Sequence, residues 1–228
     1  MKRIMKIFIL GVCIGIVALL IQKSFHIDVD VFMRGYYIVA IVIIIGAVLF
    51  NILYNQYYFN KVRELSEQLL EEKPQAYIEG IQTLLKTAKG RYLQNTLRLN
   101  LTAGYMEQKR FEKAIEILEG LSHKQRKGAV VNVVYCINLF ICYFETNQYE
   151  KATALYQANT QLLQKFRGRK SYGANIAILD TLMAIMKKDY QEAEDLLEKA
   201  KQTYDAPQFQ KAFQEISGKL EAIKGEPT

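Results

Sequence analysis

From Tyr36 to Tyr54 the chain runs nineteen residues without a charge, and Asn51 is the only strongly polar side chain among them. That approaches the ~20 residues an α-helix needs to cross the hydrocarbon of a bilayer. A helix apolar on every side has no polar face to turn toward water, so a run of this kind suits lipid better than the core of a small soluble domain. A second apolar run precedes it, Ile7 to Ile21, interrupted only by Gly11 and Gly15. Counted from Ile4 it reaches eighteen positions, with Lys6 near its end able to snorkel to the headgroups. The two runs predict membrane helices over about 4–21 and 36–54, forming a hairpin within residues 1–55. Tyr36, Tyr37, Tyr54, Tyr57 and Tyr58 fall at the expected water interfaces, where amphipathic rings are enriched.

The start Met1-Lys2-Arg3 also suits a signal peptide, but the first run leaves through Leu20-Ile21-Gln22-Lys23 with no small-x-small cleavage site. Cys13 follows Val12 and the apolar stretch continues well past it, which does not fit a lipoprotein signal. Lys2, Arg3 and Lys6 flank the first run, and Lys61 and Arg63 follow the second. In the connecting segment Gln22–Gly35, two basic residues are balanced by Asp28 and Asp30. Positive charge favours the cytoplasmic side, so both termini are expected there, with a short external loop, in a multi-pass protein of the cell membrane.

Residues 56–228 read differently. They are charged, contain the chain's only three prolines, and connect their periodic segments by short loops. Of the +7 formal charge, the first sixty residues hold five Lys/Arg against two Asp, and the remainder twenty-five against twenty-one Asp/Glu. The second region is only mildly basic in bulk. Cys13, Cys136 and Cys142 are too few and too oddly spaced for a secreted disulfide framework.

One pattern recurs through this region. Phe111 is followed three residues on by Ala114 and four further by Leu118. The same spacing returns as Tyr149, Ala152, Tyr156 and as Tyr190, Ala193, Leu197, and a weaker copy precedes them as Tyr77, Gly80, Leu84. The small residues are 34, 38 and 41 positions apart. A small side chain lets two helices approach closely, and an aromatic three residues earlier shares its face. Over roughly residues 60–203 the pattern resembles the tetratricopeptide repeat (TPR) family, whose unit is a pair of antiparallel helices of ~34 residues. Tyr105 and Tyr143 match that family's aromatic in the first helix of a unit. Ala184 departs from it, and no complete unit carries the family's closing proline.

The resemblance implies an all-α fold: a membrane hairpin followed by a TPR-like α-solenoid of about three to four helix pairs. Pro74 opens one helix, and the pairs are expected as 92–109 with 111–121, 128–147 with 149–164, and 172–188 with 190–203. Pro207 opens a last helix to about Ile223, whose Phe209, Phe213, Ile216 and Leu220 form the stripe that a capping helix needs.

No phosphate-binding glycine loop, nucleophile elbow or paired metal motif is present, so no enzyme activity, cofactor or metal is expected. His26 and His123 fall in separate loops, and Asp180 within a helix. By the family alignment, the concave groove is lined by Leu99, Met106, Ile137, Ile141, Phe144, Ile178, Leu182 and Ile185. Leu99 and Ala103 stand where the family's carboxylate-clamp branch carries Lys and Asn, so capture of a peptide C-terminus is not implied. An apolar groove suits an amphipathic helix, either a protein partner's or the chain's own 207–223.

The connections between units are basic: Lys86, Lys89 and Arg91; Lys124, Arg126 and Lys127; Lys165, Arg167, Arg169 and Lys170. Anionic lipid could attract them, although cations near helix C-termini also complement the dipole. Phe166 and Tyr172 flank the third cluster, but no stacking module accompanies them and nucleic acid is disfavoured. The sequence thus predicts a membrane-anchored scaffold or adaptor. The alternative is an accessory subunit packing through its hairpin, where Gly11 and Gly15 form a G-x-x-x-G.

Overall fold

The computed structural model describes residues 2–25, 28–121, 126 and 128–225, with side chains from Gly11 onward except those of Val12, Cys13, Leu70, Lys224 and Gly225. Every regular element among them is an α-helix: α1 (Lys2–Ser24), α2 (Val29–Leu70), α3 (Pro74–Thr87), α4 (Arg91–Glu107), α5 (Phe111–Glu119), α6 (Ala129–Glu145), α7 (Tyr149–Ala158), α8 (Thr160–Arg167), α9 (Gly173–Met186), α10 (Tyr190–Thr203) and α11 (Pro207–Gly225). The chain divides into two compact units, Met1–Tyr57 and Tyr58–Thr228.

In the first unit, α2 begins seven residues before the uncharged run. The Asp28 carboxylate accepts hydrogen bonds from the backbone N–H of Asp30 (2.9 Å) and Val31 (3.3 Å). That satisfies the donors at a helix start, so the long connection expected over Gln22–Gly35 shortens to a few residues. The stretch Val29–Leu69 is the one described helix long and apolar enough to cross a membrane; its most apolar window has mean hydropathy 2.6 and no buried residue. Ile14–Ser24 of α1 is a shorter apolar helix.

The second unit is built on a turn used four times. Glu72, Lys109, Asn147 and Lys188 all adopt positive φ, between 56° and 61°. At each, the residue itself donates to the carbonyl three back and the next residue to the carbonyl five back. Lys109 reaches Met106 (2.9 Å) and Arg110 reaches Tyr105 (2.8 Å); Asn147 and Gln148 repeat this on Phe144 and Tyr143, Lys188 and Asp189 on Ile185 and Ala184. These are Schellman closures, which satisfy the carbonyls left open at a helix C-terminus. Each turns the chain directly into a following antiparallel helix. The end of α2 thereby leads to α3, α4 to α5, α6 to α7 and α9 to α10.

Small residues set the approach of these helices. Ala114, Ala152 and Ala193 are fully buried. At Gly104, a Cβ would lie 2.6 Å from Ile78 Cγ1 and 2.9 Å from Tyr77 Cδ1, so side chains of α3 pack directly on the α4 backbone. The aromatic three residues before each small position varies in burial. Tyr77 is buried, Phe111 and Tyr190 are half-buried, and Tyr149 is 43% exposed. The last three are the first residues of their helices, where the preceding turn leaves one side of the ring open.

The helix expected to pair with 128–147 also departs from a single span over 149–164. It breaks at Asn159 and resumes as α8 to Arg167. Asn159 Nδ2 donates to the Leu155 carbonyl (2.8 Å), and Thr160 Oγ1 to those of Tyr156 and Gln157 (3.2 and 3.0 Å). Side chains bound to local carbonyls compete with the helical ladder. Beyond neighbours in sequence, α4 packs on α6, α6 on α8 and α9, and α9 on α11, so the first helices of successive pairs lie side by side.

Candidate groove and basic edge

Six of the eight expected groove residues are buried: Leu99 on α4, Ile137 and Phe144 on α6, and Ile178, Leu182 and Ile185 on α9. Met106 and Ile141 are half-buried. At one end of the row the chain's own last helix is in place. Helix α11 packs on α9 and α10 through Phe213, Ile216 and Leu220, all buried. Its Lys211 pairs with Glu107 at the end of α4, and Lys219 Nζ donates to Glu145 Oε2 at the end of α6 (2.9 Å). The Glu107 bond pushes the Lys211 pKa up. Lys219 Nζ also stands 5.7 Å from the Phe144 ring centroid. Phe144, Tyr149 and Ile185 share an open cleft of about 270 Å³ with Ala222 and Ile223 of α11. Phe144 and Ile185 therefore lie across an open cleft from the chain's own helix.

Polar contacts that the apolar pattern does not signal pin the first helices together. Thr102 is fully buried; its hydroxyl donates to the Leu99 carbonyl (2.7 Å) and accepts from Asn138 Nδ2 of α6 (3.2 Å). The repeated aromatic has a polar role as well. Tyr143 donates to Glu119 Oε1 (2.8 Å) and lies 5.3 Å from Lys151 Nζ, while Tyr105 accepts from Gln82 (3.2 Å) beneath the Arg110 guanidinium (4.9 Å). Burial and the Glu119 contact raise the Tyr143 pKa.

The basic edge separates into two groups. Lys86, Lys89, Arg91, Lys165, Arg169 and Lys170 are exposed. Arg126 and Arg167 are half-buried against groups of the unit. The Arg126 guanidinium lies 3.4 Å from the Tyr135 ring centroid, and Arg167 pairs with Asp180 through both terminal nitrogens. Asp180 is in turn bonded by the Tyr156 hydroxyl (2.6 Å), so one carboxylate ties α7, α8 and α9. Burial, then the Asp180 bond, pushes Tyr156 up to about 12. Lys124 and Lys127 lie outside the described residues, as do His26 and His123.

Phe166 is buried, 5.4 Å from Tyr172 in an edge-on contact and covered by Arg169 at 4.7 Å, which removes its face from any base. Cys136 and Cys142 are buried free thiols, both pushed up to about 12 chiefly by burial. Among the described residues no three His, Cys, Asp or Glu side chains converge as a metal site. Compared with protein-family models, curated proteins and solved structures, the chain finds no match.

Proposed function

We propose that the protein is a membrane-anchored scaffold whose TPR-like repeats receive an amphipathic helix of a protein partner at the cytoplasmic face. The observation that carries this is α11, seated against Phe144 and Ile185 and ion-paired to Glu107 and Glu145. It supplies an internal example of the ligand chemistry: an apolar stripe at helical spacing flanked by lysines eight residues apart. A partner helix with the same stripe competes for the same carboxylates. The four Schellman turns and the side-by-side first helices support the repeat reading. The exposed apolar band of α2, with α1 as the second arm of a hairpin, supports the anchor. Anchoring would raise the effective concentration of the groove near membrane partners.

A second reading has one observation in its favour. At Gly11 and Gly15 nothing lies within 4 Å of an added Cβ, which leaves a small-residue face open for another membrane helix. The protein would then be an accessory subunit held by its hairpin. Site-specific photo-crosslinking in native membranes separates the two. A crosslinker at Met106 or Ile141 is expected to trap a partner, with higher yield once Lys211→Glu and Lys219→Glu loosen α11. Crosslinks only from positions in α1 would overturn the scaffold reading in favour of the subunit.

A further inference from the structure

We infer that the edge of the repeat unit carrying the inter-pair connections rests on the anionic surface of the membrane that anchors the chain; this builds on the anchored reading above. The first observation is a segregation of charge along the helix axes. No Asp or Glu occurs from residue 80 to 106, from 120 to 144, or from 151 to 179. These stretches contain the connections α3–α4, α5–α6 and α8–α9. The carboxylates collect at the opposite edge, around the four Schellman turns, as Glu71, Glu72, Glu107, Glu145 and Asp189. Cations occur at both edges, so the turn edge is mixed while the connection edge is basic. Its exceptions are Glu119, the last residue of α5, whose carboxylate accepts from Tyr143 (2.8 Å), and Asp205 in the α10–α11 link.

The second observation is where the chain enters the unit. Tyr58 is its first residue, and its hydroxyl donates to Thr87 Oγ1 (3.1 Å) at the end of α3. Lys86, Lys89 and Arg91 are therefore beside the point of entry. In sequence only Asn55–Tyr57 separate Tyr58 from Tyr54, the end of the uncharged run. The edge that carries the cations is the edge at which the chain enters the unit.

The third observation is the kind of apolar residue this edge exposes. Tyr92 and Val130, each the second residue of its helix, are both 47% exposed. Tyr92 adjoins Arg91. An exposed ring beside cations fits the headgroup layer, where tyrosine is enriched and anionic lipid attracts Lys and Arg. Nucleic acid fits less well, because Phe166 is buried.

The test uses the full-length chain with Cys13→Ser, in lipid nanodiscs. A fluorophore is placed on Tyr92→Cys at the connection edge or on Lys188→Cys at the turn edge. Quenching by headgroup-nitroxide lipid is measured in phosphatidylcholine discs with and without phosphatidylserine. The label at 92 is expected to be quenched several-fold more than that at 188 in serine-containing discs. High salt or Lys86→Glu with Lys89→Glu and Arg91→Glu should remove the difference. Equal quenching at 92 and 188 in wild-type serine-containing discs would overturn the inference whatever the triple variant does. Extraction of the chain by alkaline carbonate would instead sink the anchor itself, so the two failures are distinguishable.

Discussion

Gly173 is the glycine of the second unit with the least room for a side chain. It opens α9 and is buried, and an alanine Cβ there would sit 2.6 Å from the Arg167 carbonyl oxygen and closer still to the Tyr204 hydroxyl. The first neighbour is backbone and cannot rotate away. Overpacking of this kind costs about 1–3 kcal/mol. Loss of the Tyr204–Arg167 hydrogen bond adds about 1 kcal/mol. Position 173 is the first residue of its helix, so alanine's helix propensity offsets little. Gly173→Ala is therefore expected to destabilise the unit by about 2–4 kcal/mol. Tyr204→Phe removes the nearest of the three obstructing atoms, leaving the ring carbon Cζ at 2.8 Å, at a cost of about 1 kcal/mol, so the double variant should be more stable than the sum of the singles. Urea unfolding of the full chain in detergent micelles, followed by near-ultraviolet circular dichroism, reads the shift in midpoint at constant slope. A Gly173→Ala protein as stable as wild type, or strict additivity with Tyr204→Phe, would refute the proposed crowding.

Three further changes probe other parts of the fold by the same assay. Lys109→Gly and Lys188→Gly place glycine at positive φ, where a side chain costs about 1–2 kcal/mol, and each should raise stability by about 0.5–1 kcal/mol after the added chain entropy; the corresponding alanine variants should not. Gly104→Ala should lose about 1–2 kcal/mol as its methyl meets Ile78 and Tyr77, whereas Gly218→Ala on α11, with nothing within 4 Å, should gain up to about 1 kcal/mol. Cys136 and Cys142 titrate near 12 when folded against 9.0 for a free thiol, so their burial stabilises fully below about pH 8.5 and is progressively lost as pH rises toward 12. The variant with both changed to Ala should lose less stability between pH 8 and 10.5 than wild type, and the wild-type thiols should resist a disulfide reagent until urea unfolds the chain.

Helix positions were legible because they follow from local chemistry. Pro74 and Pro207 open α3 and α11 where a ring with no N–H is harmless, and the second-region helices fall within a few residues of their periodic segments. The departures have equally local causes that hydrophobic periodicity does not weigh: an Asp28 cap that extends α2 backward, and Asn159 and Thr160 bonds that split the helix expected over 149–164. The fourfold Schellman turn was hidden for another reason. Its left-handed residue is usually glycine, and here Glu72, Lys109, Asn147 and Lys188 fill it, so the usual punctuation is missing while the geometry repeats.

Periodicity assigns a residue to a face but says nothing of what covers that face. Leu99, Ile137 and Leu182 would read the same beneath a partner helix or beneath the chain's own. The contact that places α11 at the end of that row, Lys211 with Glu107, spans 104 residues, beyond any local pattern. The basic edge fails by the same logic at two positions. Arg126 and Arg167 have the composition of loop cations, yet one covers a tyrosine ring and the other answers a carboxylate thirteen residues away on α9. What remains at that edge is the basic charge of stretches that carry no carboxylate. An absence of carboxylates over 80–106, 120–144 and 151–179 needs no structure to be seen. It takes the alternating direction of the helices to show that the helix ends flanking the connections in those stretches lie at one edge, and the Tyr58–Thr87 bond to show that the chain enters there.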